Sequence, residues 1–250
     1  MHINTNLEKK DYLNAYKDMF VFLFRHPLIT AIFIVVCLTC ELIPFAWFPL
    51  KMAGYALAIS LMVCVTTLHY RSGSLQGLLS EWRFQGAVYL PAIALILGLS
   101  WLGFLVADTL LSVLSEGETQ GALPPVQAVT VQEDGNTLFV ALFAAAIVCV
   151  AQIMPLVLAH FCRGLGLSRH QGEKIWLALM LRAKSLLAFI PIAQLVPLSI
   201  AMNWNVAGVV IALATLYSTF LLFIVFNISP AQPRRSVVMD NNIAAGPAAG

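Results

Sequence analysis

The stretch MPLVLAHFCRGLGLSRHQGEKIWLALMLRAK, from Met154 to Lys184, decides how the rest of the chain is read. An apolar run ends at His160, and Arg163, Arg169, Lys174, Arg182 and Lys184 follow before the next run begins at Ser185. Five of the fourteen Lys and Arg residues therefore fall in one short connection. Cationic loops translocate poorly, so this connection is expected on the cytoplasmic face of a bilayer. It sets the direction of every apolar run before and after it.

Composition points to the same class. Hydrophobic residues make up 60% of the chain and charged residues 10%, with a mean hydropathy of +0.86. Soluble domains carry about 25% charged residues. The apolar residues cluster in runs of the ~18 or more that a helix needs to cross ~30 Å of hydrocarbon. Six spans are expected, at about residues 27–48, 52–69, 87–111, 136–160, 185–202 and 206–228. The expected fold class is all-α: a polytopic membrane bundle of six helices, with short amphipathic interfacial helices on the cytoplasmic side. One integral domain covers 1–228, and the Pro-, Gly- and Ala-rich tail 229–250 is expected to be disordered and cytoplasmic.

The cations orient this scheme. Lys9, Lys10, Lys17 and Arg25 precede the first span, and Lys51 lies in the first connection. Arg71 and Arg83 lie in the second connection, and Arg234 and Arg235 in the tail. The acidic connection 112–135 has none. With both termini cytoplasmic, thirteen cations are inside and one outside, as the positive-inside tendency requires.

The N-terminal segment reads as an amphipathic helix. Thr5 or Asn6 can cap it, with Glu8 closing a capping box. Leu13, Tyr16, Phe20, Leu23 and Phe24 recur at helical spacing, with Asp11, Asn14 and Asp18 opposite. Such a helix suits the membrane interface; the alternative is an extension of the first span. Arg25-His26-Pro27 marks a break between the two. The Cys37-x-x-Cys40 pair sits inside an apolar run, so packing by small thiols is expected there rather than redox or metal chemistry. A weak repeat of aromatic, Arg and span is visible in FVFLFRHPLITAIF, LLSEWRFQGAVYLP and LALMLRAKSLLAFI, consistent with three interfacial-helix-plus-hairpin units. Any helix entering a membrane from the cytoplasm tends to show the same residues.

Pro155, Gly166-Leu167-Ser168, Arg182 and Lys184, together with FLFRHPL before the first span, carry a resemblance. In layout they resemble a family of bacterial polytopic inner-membrane proteins, YciC-like, to which no activity is assigned. The resemblance covers about two-thirds of the chain. It departs at the acidic loop with Pro124-Pro125. It implies a bacterial inner-membrane location and a fold, and no reaction.

Polar groups inside hydrocarbon cost about 2.5–3.5 kcal/mol on insertion scales, so each needs a reason. Glu41 and Asp108 are the acidic candidates, as a cation or proton site or as carboxylates hydrated at the outer headgroups. Gln152 and Gln194 are neutral amides expected to hydrogen-bond between helices. His69 and His160 end spans beside an Arg, where a hydrated imidazole is cheap. Pro191 and Pro197 interrupt the run around Gln194, as discontinuous transporter helices do. The sequence Gly164-Leu165-Gly166-Leu167-Ser168 reads as a helix start capped by Ser168 with Gln171. Arg163, Arg169, Lys174, Arg182 and Lys184 are candidate contacts for anionic lipid.

No H-E-x-x-H, G-x-S-x-G or phosphate-loop pattern occurs, so no catalytic residue, cofactor or metal is expected. A net charge of +2 gives no argument for nucleic acid. The expected partners are the bilayer, anionic lipids at its cytoplasmic face, and a membrane protein or a second copy of the chain. Three function classes remain: a non-enzymatic envelope scaffold, assembly or protective factor; a small transporter or channel with a polar site around Glu41 and Gln194; and an intramembrane enzyme, for which no nucleophile is evident.

Overall fold

Long apolar runs with few backbone breakers must satisfy their own peptide groups, and helices do so internally. In the computed structural model residues 3–84, 135–202 and 206–230 are described, with the single positions 86, 94 and 102. Among them every regular element is helical. The helices are α1 (Lys9–Arg25), α2 (Pro27–Glu41), α3 (Phe48–Ser72), α4 (Gly135–Val148), α5 (Met154–Gly164), α6 (Arg169–Met180), α7 (Ala183–Ala193), α8 (Leu195–Met202) and α9 (Ala207–Val225). A 3₁₀ turn, Phe45–Trp47, joins α2 to α3, and a π turn, Cys149–Ile153, joins α4 to α5. The expected third span (87–111), most of the acidic loop (112–135) and nearly all of the tail (229–250) lie outside the described residues.

Among the described residues three helices are long and apolar enough to cross a membrane: Phe48–Ser72, Leu138–Gly164 and Ala207–Val225. The number rises to five if each of two bent pairs is one span. The first pair is α1 and α2, which meet at 99°, and the second is His170–Met180 with Ala183–Ser199, at 73°. Alone, α2 has 15 residues, about 22 Å at ~1.5 Å per residue. Both breaks have local causes. Pro27 opens α2 after His26, whose φ and ψ of −123° and 61° are not helical. Arg182 is extended (φ −91°, ψ 118°) at the start of α7. The π turn likewise precedes a proline. Pro155 cannot donate to the carbonyl of Ala151 and would crowd it, and the widened turn contains that residue.

The packing centre is α9, the last helix, rather than the basic connection. It packs against α1, α2, α3 and α5 and is buried on most of its circumference. A helix apolar all round belongs inside, and small and hydroxyl residues let neighbours come close. Here Ala212, Ala214, Thr215, Ser218 and Thr219 are buried. Thr215 and Thr219 return their hydroxyls to backbone carbonyls one turn back, Ile211 at 2.7 Å and Thr215 at 2.8 Å. Aromatic rings surround the rest. Tyr16 stacks on Tyr217 with ring centres 4.1 Å apart, and Tyr70 stacks on Phe223 at 4.3 Å.

Glycine–cysteine contacts mark the closest approaches. A Cβ on Gly208 would lie 2.9 Å from the Cys37 carbonyl oxygen, and one on Gly54 would lie 3.1 Å from Cys40 Sγ. The Cys37-x-x-Cys40 thiols are free and buried, and they sit where α2 meets α9 and α3. The third such contact is Gly172 against Cys162 Sγ, at 2.9 Å.

Candidate functional site

Glu41 ends α2, so its carboxylate leaves an apolar helix at the point where the chain turns back. That turn brings Lys51 and Tyr55, on the first two turns of α3, to the same place. Lys51 Nζ stands 2.9 Å from Oε2. Oε1 accepts from the Tyr55 hydroxyl and, at 2.7 Å, from the backbone N–H of Gly208. Gly208 is the second residue of α9. The carboxylate therefore satisfies one of the donors that a helix start leaves open, at the end where negative charge is favoured. The Glu41 side chain is 9% exposed and that of Lys51 17%. One anion, one cation and two neutral donors tie three helices together.

Sequence reasoning singled out Glu41 but missed Lys51, Tyr55 and Gly208. A signal existed: Lys51 is the one cation assigned to the outer side, ten residues after Glu41 across a proline-rich turn. The pairing of Glu41 with Asp108 falls outside the described residues on the Asp108 side. Gln152 lies in the π turn and Gln194 at the junction of α7 and α8, and both side chains are exposed. The break at Gln194 follows from Pro197, which withholds the hydrogen bond that Ala193 would accept. Among the described residues none of the principal cavities is lined by Glu41, Gln152 or Gln194.

The basic connection splits into separate roles. Arg182 is half-buried and donates through Nη1 to the Thr5 carbonyl at 2.5 Å. Nearby, the Tyr12 hydroxyl meets Ser185 Oγ at 2.9 Å and the Tyr16 hydroxyl donates to the Ala188 carbonyl at 2.7 Å. Together these lay the N-terminal segment and α1 along α7. Lys174 and Lys184 are exposed, and the Arg169 side chain lies outside the described residues. Arg163 places its guanidinium 4.4 Å from the Phe84 ring centre. It lines a cavity of about 440 Å³ between α5 and α6. The Ser168–Gln171 capping box is present: Gln171 N–H donates to Ser168 Oγ at 3.3 Å, and Ser168 N–H to Gln171 Oε1 at 3.0 Å.

The N-terminal helix starts two or three residues later than expected, with Glu8 as its cap residue and the Asp11 carboxylate accepting from Glu8 N–H at 2.8 Å. It buries Tyr12, Ala15, Met19 and Phe22 and leaves Leu13, Phe20 and Phe24 outside, at 67%, 48% and 82% exposure. Its expected lipid face is thus divided, with Tyr16 and Leu23 half-buried on the protein side.

The histidines also differ from expectation. His160 is 2% exposed rather than hydrated, with Nδ1 3.8 Å from Cys64 Sγ. His69 pairs with His26, their Nε2 atoms 3.3 Å apart, at the elbow between α1 and α2. Among the described residues no group of three His, Cys, Asp or Glu side chains is placed to hold a metal ion. No known protein family, curated protein or solved structure matches the chain. The reading of the site rests on its geometry.

Proposed function

We propose that the chain is a six-span helical bundle of the bacterial inner membrane with both termini in the cytoplasm. It works without catalysing a reaction, as an envelope scaffold, assembly or protective factor. The observation that carries this reading is the engagement of Glu41. The acidic group that the sequence placed deepest in an apolar run is held by Lys51, Tyr55 and the Gly208 N–H. A carboxylate with that many partners serves to fix helices, because moving any one of them strands a charge in a poorly hydrated place.

The second reading is a small transporter or channel, favoured by the helix interruptions that place Gln152 in a π turn and Gln194 beside Pro191 and Pro197. Reconstituted liposomes separate the two. Under the scaffold reading, wild type and Glu41→Gln leave proton and monovalent-cation leak at the level of empty vesicles. Affinity capture of the wild type from native membranes then returns a stoichiometric membrane protein. Leak above that level which Glu41→Gln abolishes would establish the transport reading instead.

A further inference from the structure

His26 and His69 meet at the elbow between α1 and α2, on a cavity of about 290 Å³. His26 closes α1 and precedes Pro27, and His69 sits on the last turn of α3. Their Nε2 atoms are 3.3 Å apart, with the ring planes crossed at 78°. Phe22, itself buried, packs against both rings, with centres 5.0 Å and 6.0 Å away.

A neutral imidazole carries one N–H, so one ring of the pair donates and the other accepts. The second nitrogen of His69 decides which. His69 Nδ1 is covered from water and has no hydrogen-bond partner. A proton there would be a buried donor without an acceptor, the costlier way to leave that atom. On this pattern His69 is assigned the Nε2–H tautomer and donates to His26 Nε2. The contact therefore closes only while His26 Nε2 is bare. With His26 protonated, two N–H groups would face each other at the same place. His69 cannot answer by moving its proton to Nδ1, for the reason just given. Histidine is the side chain whose charge changes between about pH 5 and pH 8.

The surroundings leave that contact in control. Towards the cavity α1 presents Asp18 and Arg25, α3 presents Tyr70, and α9 presents the uncharged Phe220. The acid of α2, Glu41, lies at its far end. One anion and one cation offset each other, so neither sign of charge dominates around the pair.

We propose that the His26–His69 contact is a proton-released latch, which holds the α1–α2 elbow against α3 when His26 is neutral and opens when His26 is protonated. The closed form binds fewer protons than the open one, so it is favoured as pH rises and lost as pH falls. The cavity beside the pair gives the released His26 ring room to turn. What is loosened is the last turn of α1, where Phe24 is exposed. This goes beyond the scaffold reading, and the membrane orientation enters only in naming the cytoplasmic side as the one whose pH is sensed.

Hydrogen exchange of the full-length protein in lipid nanodiscs, at about pH 8 and about pH 5.5 and corrected for the intrinsic rate, tests it. In the wild type, protection of residues 20–26 falls about tenfold at the lower pH, the size of one lost hydrogen bond. His26→Gln offers an amide oxygen as acceptor at either pH. His69→Gln offers a donor to neutral His26 and an acceptor to protonated His26. Each variant keeps its protection at the lower pH, and unfolding temperatures at the higher pH show that both are folded. His170→Gln, at an exposed position on α6, keeps the wild-type fall. Equal wild-type protection at the two pH values overturns the latch, as does a fall that persists in either elbow variant. A fall shared equally by α5 and α9 is general loosening and overturns it too. None of these outcomes bears on the scaffold reading, which the liposome and capture experiments test separately.

Discussion

Replacing Gly208 with alanine sets two effects of known sign against each other. Gly208 is the second residue of α9 and has no left-handed backbone to protect. On propensity alone, alanine stabilises a helix interior by up to about 1 kcal/mol over glycine, and by less in the first turn. Against this, the new methyl would sit 2.9 Å from the Cys37 carbonyl oxygen, 3.1 Å from its carbon and 3.2 Å from Cys37 Cβ. Close C–H···O contacts between helices settle at about 3.3–3.6 Å, so α2 and α9 must part by roughly 0.4–0.7 Å. The carbonyl in the way is backbone and cannot rotate aside.

The separation also stretches the bond from Gly208 N–H to Glu41, now 2.7 Å, which as a bond to a charged group is worth about 1.5–3 kcal/mol. Overpacking itself costs about 1–3 kcal/mol. Packing therefore outweighs propensity, and Gly208→Ala is expected to destabilise by about 1–3 kcal/mol. For a chain of this size that lowers the unfolding midpoint by about 2–12 °C, measured by circular dichroism in a fixed detergent. Cys37→Ala should not rescue it, because the obstructing carbonyl remains. A variant that unfolds at or above the wild-type temperature would refute the close approach and the role given to Glu41 with it.

Glu41→Gln keeps an acceptor for Tyr55 and Gly208 but leaves Lys51 without its anion; a loss of about 2–4 kcal/mol is expected in the same unfolding assay. Membrane topology is checked with reporters: one fused after Arg235 should be cytoplasmic and one placed at Gly121 external, and two reports from the same side would end the six-span reading. Phe20→Ser with Phe24→Ser changes two exposed side chains of α1, so stability in detergent should stay within about 0.5 kcal/mol. In lipid nanodiscs the same pair should raise hydrogen exchange over residues 9–25; unchanged exchange would show that this stripe does not face lipid.

Two helix boundaries were legible because a residue with a mechanical effect stands at each. His26-Pro27 breaks α1 from α2, and Ser168 with Gln171 starts α6. The cysteines were legible as packing groups for the same local reason. Which faces meet was not. In water an amphipathic pattern distinguishes core from surface, but lipid is as apolar as a core, so both sides of α1 look alike. Tyr12, Ala15, Met19 and Phe22 went to protein; Leu13, Phe20 and Phe24 did not. The centrality of α9 was written in its Gly, Ala, Ser and Thr content, a signal that hydropathy averages away. Partners far apart in sequence, such as Glu41 with Gly208 or Thr5 with Arg182, leave no local trace.

Those distant partners share a logic. A helix leaves open donors at its start and open acceptors at its end, and in a membrane these must be met by protein or by the headgroup region. In α9 the start is met by Glu41, and the Val225 carbonyl near the end accepts from Asn4 N–H at 2.9 Å. The helix made late in synthesis is thus finished at both ends by segments made first. Until α9 exists, α1 has nothing on which to bury Met19 and Phe22. An interfacial helix with apolar residues on two faces can wait in the headgroup layer at little cost. When α9 arrives, one stripe turns to protein and the other, with Leu13, Phe20 and Phe24, stays outside the protein. The doubled apolar surface of α1, which confuses a reading of its periodicity, is the property that a segment needs if it must serve both states.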